Sequence, residues 1–136
     1  MKESCPVCGI RHRSRTADEC ADRQMTEAQL QSRVIGRAKT RGWFAHHVGK
    51  GIATFDSNGN PVYVSTGSPG WPDLVLFNPH KPGPKVVAME LKREEGEVSD
   101  DQWTWLARFN ACLIPAIVVR PSDLRLGRVN MVLDGK

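Results

Sequence analysis

The sequence predicts an α/β domain in which a mixed β-sheet is flanked by helices. Three observations predict it. Short β-rich runs recur, among them "LVLF", "VVAMEL" and "IPAIVV". Two longer stretches have helical period and open on capping signals. Proline- and glycine-rich links separate these elements and can be neither central strand nor helix. With 136 residues, 40% hydrophobic and 25% charged, the chain has enough apolar material for one core.

Residues 1–24 stand apart. They are polar, carry three of the four cysteines and show no periodicity, so they read as a short Cys-rich N-terminal extension to a domain over 25–136. Thr26 with Gln29 forms a capping box, and Gly42 is a natural stop for the helix it opens. At 100° per residue Leu30, Val34 and Ala38 share one face, with Glu27 and Gln31 on the same side. Arg33, Arg37 and Arg41 form a separate stripe. "WFAHHV" (43–48) reads as a strand, and "FDSNGNPVYV" (55–64) as a hairpin around Asn-Gly. "STGSPGWP" (65–72) is a loop. Strands over 73–77 and 86–92 follow. Ser99 with Gln102 is a second capping box, opening a helix that runs to about Cys112; Leu106, Phe109, Leu113 and Gln102 share its face, and Cys112 is expected to be buried. A last strand covers 114–119, and 121–133 is a short helix or edge strand.

The chemistry begins with two acids at strand ends, in "GWPDLVLF" (70–77) and "MELKR" (89–93). Pairing 73–77 with 86–92 symmetrically about the intervening loop puts Phe77 opposite Val86, and therefore Asp73 opposite Glu90. Directly opposed residues point to the same side, with Cβ atoms about 4.5–5.5 Å apart. Lys92, two residues past Glu90, shares that side. A one-residue slip in register would turn one acid away. Two acids this close need a proton or a cation between them. Oxygen ligands suit Mg²⁺ or Mn²⁺, which polarise phosphoryl oxygens and lower the pKa of bound water. Lys92 is placed to position that water or to stabilise charge on a phosphate. Glu27 is a candidate further ligand. Gln102 has two readings: it completes the capping box, or it holds a water or a ligand carboxylate. Taken singly, each motif has an ordinary structural explanation; their joint placement points to a metal site.

In this order, Glu27 on the first helix, "GWPDL", "MELKR" and "SDDQWTWL" resemble the PD-(D/E)xK nuclease superfamily, and most closely its VRR-NUC branch, over roughly 26–120. The resemblance implies a restriction-endonuclease-like core. It implies Glu27, Asp73, Glu90 and the Leu91 carbonyl as ligands of Mg²⁺ or Mn²⁺, Lys92 as the catalytic lysine and Gln102 as the motif glutamine. Stand-alone members, common in phages, act as homodimers on branched DNA such as Holliday junctions, which implies a DNA endonuclease of that kind here; a cytoplasmic location (the host's, if phage-encoded) is expected from the lack of a secretory signal and of a membrane span. The cysteine-bearing extension is a departure from the core domain.

Net charge is +4. The 33–50 stretch concentrates Arg33, Arg37, Lys39, Arg41 and Lys50 without an acid, so Arg33, Arg37, Arg41 and Lys50 are candidates for phosphate contacts; a solvated helix face is the alternative. The extension offers Cys5, Cys8, His12 and Cys20 in the spacing C-x2-C-x3-H-x7-C, a candidate knuckle for Zn²⁺, against a tail with incidental thiols. His46 and His47 are assigned to no metal, and the four tryptophans are expected in the core or a lid. No apolar run is long enough to span a bilayer, and no secretory signal opens the chain. Rival functions are a nickase or flap nuclease, a non-catalytic DNA-binding module with the same fold, and a zinc-stabilised interaction protein whose acids are surface decoration.

Overall fold

The computed structural model describes residues 4–10, 16–47, 50–65 and 68–135, with side chains omitted for 50–54 and 62–65. Five helices and six strands run in the order α1 (Ala17–Gln24), α2 (Glu27–Thr40), β1 (Phe44–His47), β2 (Lys50–Phe55), β3 (Pro61–Ser65), β4 (Leu74–Phe77), β5 (Val86–Leu91), α3 (Asp100–Ala111), β6 (Ala116–Val119), α4 (Pro121–Arg125) and α5 (Arg128–Asp134). One four-stranded sheet has the order β1-β4-β5-β6; β2 and β3 form a separate hairpin. The β1–β4 and β4–β5 pairs are antiparallel and β5–β6 is parallel. This mixed sheet with its flanking helices is a restriction-endonuclease-like α/β fold.

Both capping boxes form. The Thr26 hydroxyl accepts from the Gln29 N–H while the Gln29 side chain accepts from the Thr26 N–H, and Ser99 and Gln102 do the same for α3. Gly42 stops α2 with a φ of 81°, a conformation glycine adopts without strain.

The strands alternate between two faces of the sheet. Leu74 and Leu76 of β4 and Val87, Met89 and Leu91 of β5 join the main core with Leu30, Val34 and Ala38 of α2 and with Leu124, Val129 and Leu133 of the C-terminal helices. Ala88, on the opposite face, packs with Leu106 of α3 and Ala116. By the same alternation Asp73, Val75, Glu90 and Lys92 belong to the α3 side. The register that sets this is Leu74↔Met89 through Phe77↔Val86, the symmetric pairing expected from the loop.

Three local expectations are corrected. The extension does contain a helix: α1 is capped by Thr16, whose hydroxyl accepts from the Glu19 N–H. Its polar composition hides any apolar stripe, because it is fastened mainly by polar bonds. Asp22, 5% exposed, accepts from the Arg125 guanidinium of α4 at 2.9 Å. Cys112 is exposed rather than buried; six residues past Leu106, at 100° per residue, it lies on the far side of α3. Leu113 leaves that helix at a φ of 63° and is 90% exposed, so it does not extend the Leu106 face.

Candidate active site

Asp73 and Glu90 meet just past the last ladder pair of β4 and β5. There the Asp73 side chain continues what the backbone began: its Oδ2 accepts the Leu91 N–H at 2.8 Å. Glu90 is 2% exposed. Its Oε1 accepts from the Gln102 amide at 2.7 Å. Its Oε2 is buried with no hydrogen-bond partner among the described residues. Burial, and after it the adjacent Asp73 carboxylate, push the Glu90 carboxyl up from the ordinary 4.5 to about 8; the Lys92 ammonium pulls the other way and does not prevail.

Gln102 plays both of its expected parts at once. An amide has an acceptor and a donor, so Oε1 closes the capping box at Ser99 while Nε2 reaches Glu90. The cap thereby fixes the side chain that orients the acid.

The loop before Asp73 is anchored on α3 by residues that the sequence marks only as a glycine-rich link and two tryptophans. Gly70 has a φ of 83°, and a Cβ there would stand 2.4 Å from the Asp101 backbone carbon. The loop thus lies directly on the first turn of α3. The Trp105 indole N–H donates to the Pro69 carbonyl at 3.1 Å, and Trp71 packs edge-on against Trp105 and Phe109 at 4.9 and 5.1 Å between ring centres. Glycine before tryptophan, two residues ahead of the acid, is the signal that could have shown this. Trp43 is buried as expected, its indole N–H donating to the Leu133 carbonyl, whereas Trp103 is exposed.

Glu27 is exposed at the first position of α2, and no described hydrogen bond or ion pair engages it. Of the four candidate phosphate contacts, Arg33 is exposed, while Arg37 and Arg41 hold the molecule together. Arg37 donates to the Leu124 carbonyl and the Asn130 side chain, and Arg41 pairs with Asp134. The Lys50 side chain lies outside the described residues. His46 and His47 are both exposed on β1. A cleft of about 420 Å³ between α1, α2 and α4 includes Arg33 and Arg37 but none of Asp73, Glu90, Lys92 and Gln102.

A second cluster lies in the extension. The Sγ atoms of Cys5, Cys8 and Cys20 are within 4.8 Å of one another. His12 falls outside the described residues. Backbone N–H groups of Cys8 and Val7 pull the Cys5 thiol below its usual value, while hydrogen bonding to Cys8 and burial push Cys20 up to about 11.

The sheet thus brings Asp73 and Glu90 together, with Lys92 close enough to act on Glu90 and Gln102 reaching it from α3. Residues 61–123 match the family model of the VRR-NUC domain. The matched segment contains Asp73, Glu90, Lys92 and Gln102 and excludes Cys5, Cys8 and Cys20. That domain implies a nuclease-type, DNA-processing function. No curated protein and no solved structure matches the chain. Among the described residues no helix is long and apolar enough to cross a membrane.

Proposed function

We propose that the chain is a divalent-metal-dependent endonuclease that hydrolyses phosphodiester bonds in branched DNA. The observation that carries this is Glu90: a carboxylate buried beside a second acid and a lysine, with one oxygen left without a partner. Holding this pair of acids together is costly unless a proton or a cation compensates them, and the unpartnered Oε2 is where a cation would bind. The donors are all hard oxygens, which fits Mg²⁺ or Mn²⁺, held by Asp73, Glu90 and the Leu91 carbonyl. Such an ion would polarise the scissile phosphate and supply an activated water.

The chain's own residues have separate tasks. Gln102 holds Glu90 Oε1 and leaves Oε2 for the ion. The Leu91 N–H holds one oxygen of Asp73. Lys92 orients the attacking water or balances charge building on the phosphate oxygens. Water oxygen attacks phosphorus, the P–O bond to the departing sugar breaks, and the departing oxygen takes up a proton. Arg33 and Lys50 would contact backbone phosphates, making binding sensitive to salt and indifferent to sequence. One such site cuts one strand. Symmetric cleavage of a four-way junction therefore calls for a homodimer with two-fold symmetry, whereas a monomer would act as a nickase or flap nuclease.

The test is digestion of labelled four-way junctions, flaps, nicked and intact duplexes, with and without Mg²⁺, beside Glu90→Ala. Cleavage that requires Mg²⁺, favours branched substrates and vanishes in the variant is expected. Equal cleavage by the variant, or no cleavage of any substrate, would end this reading, and sedimentation on the junction decides between dimer and monomer.

A further inference from the structure

The thiol cluster lies outside the matched segment. Its construction is local and specific. Gly9, at a φ of 74°, lets the chain turn back on itself directly after Cys5-x-x-Cys8. The Gly9 N–H donates to the Cys5 carbonyl at 2.8 Å, and the Cys5 N–H to the Ile10 carbonyl at 3.0 Å. Inside this turn the Val7 N–H points at Cys5 Sγ, 3.4 Å away. A peptide N–H aimed at a sulfur is what a thiolate ligand uses in its outer shell. The third sulfur arrives from another element: Cys20, 1% exposed, lies in the first turn of α1.

Sulfurs bound to one tetrahedral Zn²⁺ at ~2.3 Å lie roughly 3.8 Å apart. A cluster already within 4.8 Å needs only a small contraction to reach that arrangement. The segment's described residues also bury little apolar surface. Among the described residues of 4–24, the buried ones are Cys5, Cys20 and Asp22, while Val7 and Ile10 are 44% and 63% exposed. A piece with so little apolar burial needs a cross-link or a metal. None of the three sulfurs is in a disulfide.

We propose that Cys5, Cys8 and Cys20 hold a structural Zn²⁺ that fastens the N-terminal turn to α1, and that α1 in turn braces the loop following the acid-bearing strand. The brace is visible in its bonds. Arg23, in the last turn of α1, pairs with Glu95, and its carbonyl accepts from the Arg93 guanidinium at 3.3 Å. Arg120, at the start of α4, donates to the Arg93, Glu94 and Gly96 carbonyls. Asp22 and Arg125 lock α1 to α4. The loop that follows Lys92 is thus held from two sides, one of them dependent on α1.

The test is the metal content of the full chain purified without chelator. About one zinc per chain is expected. Reconstitution with Co²⁺ should give intense thiolate-to-cobalt charge-transfer bands. Cys20→Ser and Cys5→Ser should lose the zinc, while Glu90→Gln and the distant Cys112→Ser keep it. Should the variants of the cluster cysteines fail to fold, titrating Cys112→Ser with a mercurial settles it: zinc release complete at about three thiol equivalents supports the site. No zinc together with no charge-transfer bands overturns it, as does zinc lost in Glu90→Gln but kept in Cys20→Ser. Removing the zinc should speed amide exchange at residues 93–97, and unchanged exchange there refutes the brace. None of these readouts depends on DNA cleavage.

Discussion

The acid pair and the thiol cluster gather ligands in opposite ways. Asp73 and Glu90 come from different strands, and only sheet register brings them together. Cys5 and Cys8 come from one tight turn, joined by a helix twelve residues on. The donors differ as well. Carboxylate oxygens suit an ion that keeps waters and exchanges, whereas thiolates suit zinc that stays. The acid pair is set by sheet register across the domain, the thiol cluster by one turn and one helix. On the readings proposed above, the working metal site would borrow rigidity from the fold and the structural one would supply it.

The difference can be broken first at the acids. Lys92→Ala should lower the cleavage rate on the order of 10²–10³-fold, and Glu90→Gln at least as much, with little change in melting temperature, measured by single-turnover assay beside calorimetry. A large loss of stability in both would show that these groups are structural. The opposite pattern is expected at the thiols. Cys20→Ser should lower the melting temperature and expose α1 to protease, while added Mg²⁺ restores nothing.

Next in size is the loop that presents Asp73. Gly70→Ala forces a side chain against the Asp101 backbone at a positive φ, for a cost of roughly 1–3 kcal/mol read from denaturant midpoints. Cleavage should drop with it, since the loop and the first turn of α3 must separate. Unchanged activity would mean that the loop does not set the acid's position.

Smaller, and specific to the acid site, is a dependence on pH. Glu90 in the metal-free protein holds its proton up to about 8, whereas the unfolded chain releases it near 4.5. The folded state therefore binds more protons across that window. This contribution to stability is fully present below 4.5 and is lost as pH rises to about 8. Without added Mg²⁺, melting temperature should fall more for wild type than for Glu90→Gln between pH 5 and pH 8, a range taken from these two values. Mg²⁺ binding at pH 7 should release close to one proton, seen by calorimetry in buffers of different ionisation heat. Equal slopes for the two proteins would contradict the burial argument. The smallest effect expected is at Cys112→Ser, which should change neither zinc content nor cleavage, because that thiol is exposed and remote from the cluster.

Local signals in the sequence determined most elements and half of the site. Thr26–Gln29 and Ser99–Gln102 announce their helices because a cap is a short-range bond, readable from residues three apart. The hairpin of β4 and β5 is symmetric about its loop, so its register, and with it the meeting of Asp73 and Glu90, follows from counting. The spacing of Cys5 and Cys8 likewise carries its own geometry. Only the tertiary structure decided which distant groups joined them. Glu27 shares a helical face with Leu30, but which side of the sheet that helix covers is a fact no periodicity contains. Arg37 bonds to Leu124 and Asn130 and Arg41 to Asp134, partners on α4 and α5 that the helical stripe does not reveal. The docking of Gly70 and Trp71 on α3 and the brace from α1 to the loop after Lys92 are equally out of reach. Periodicity and caps report what a residue does to neighbours within a few positions. Which faces meet is set by how whole elements pack, and that depends on every other element being in place.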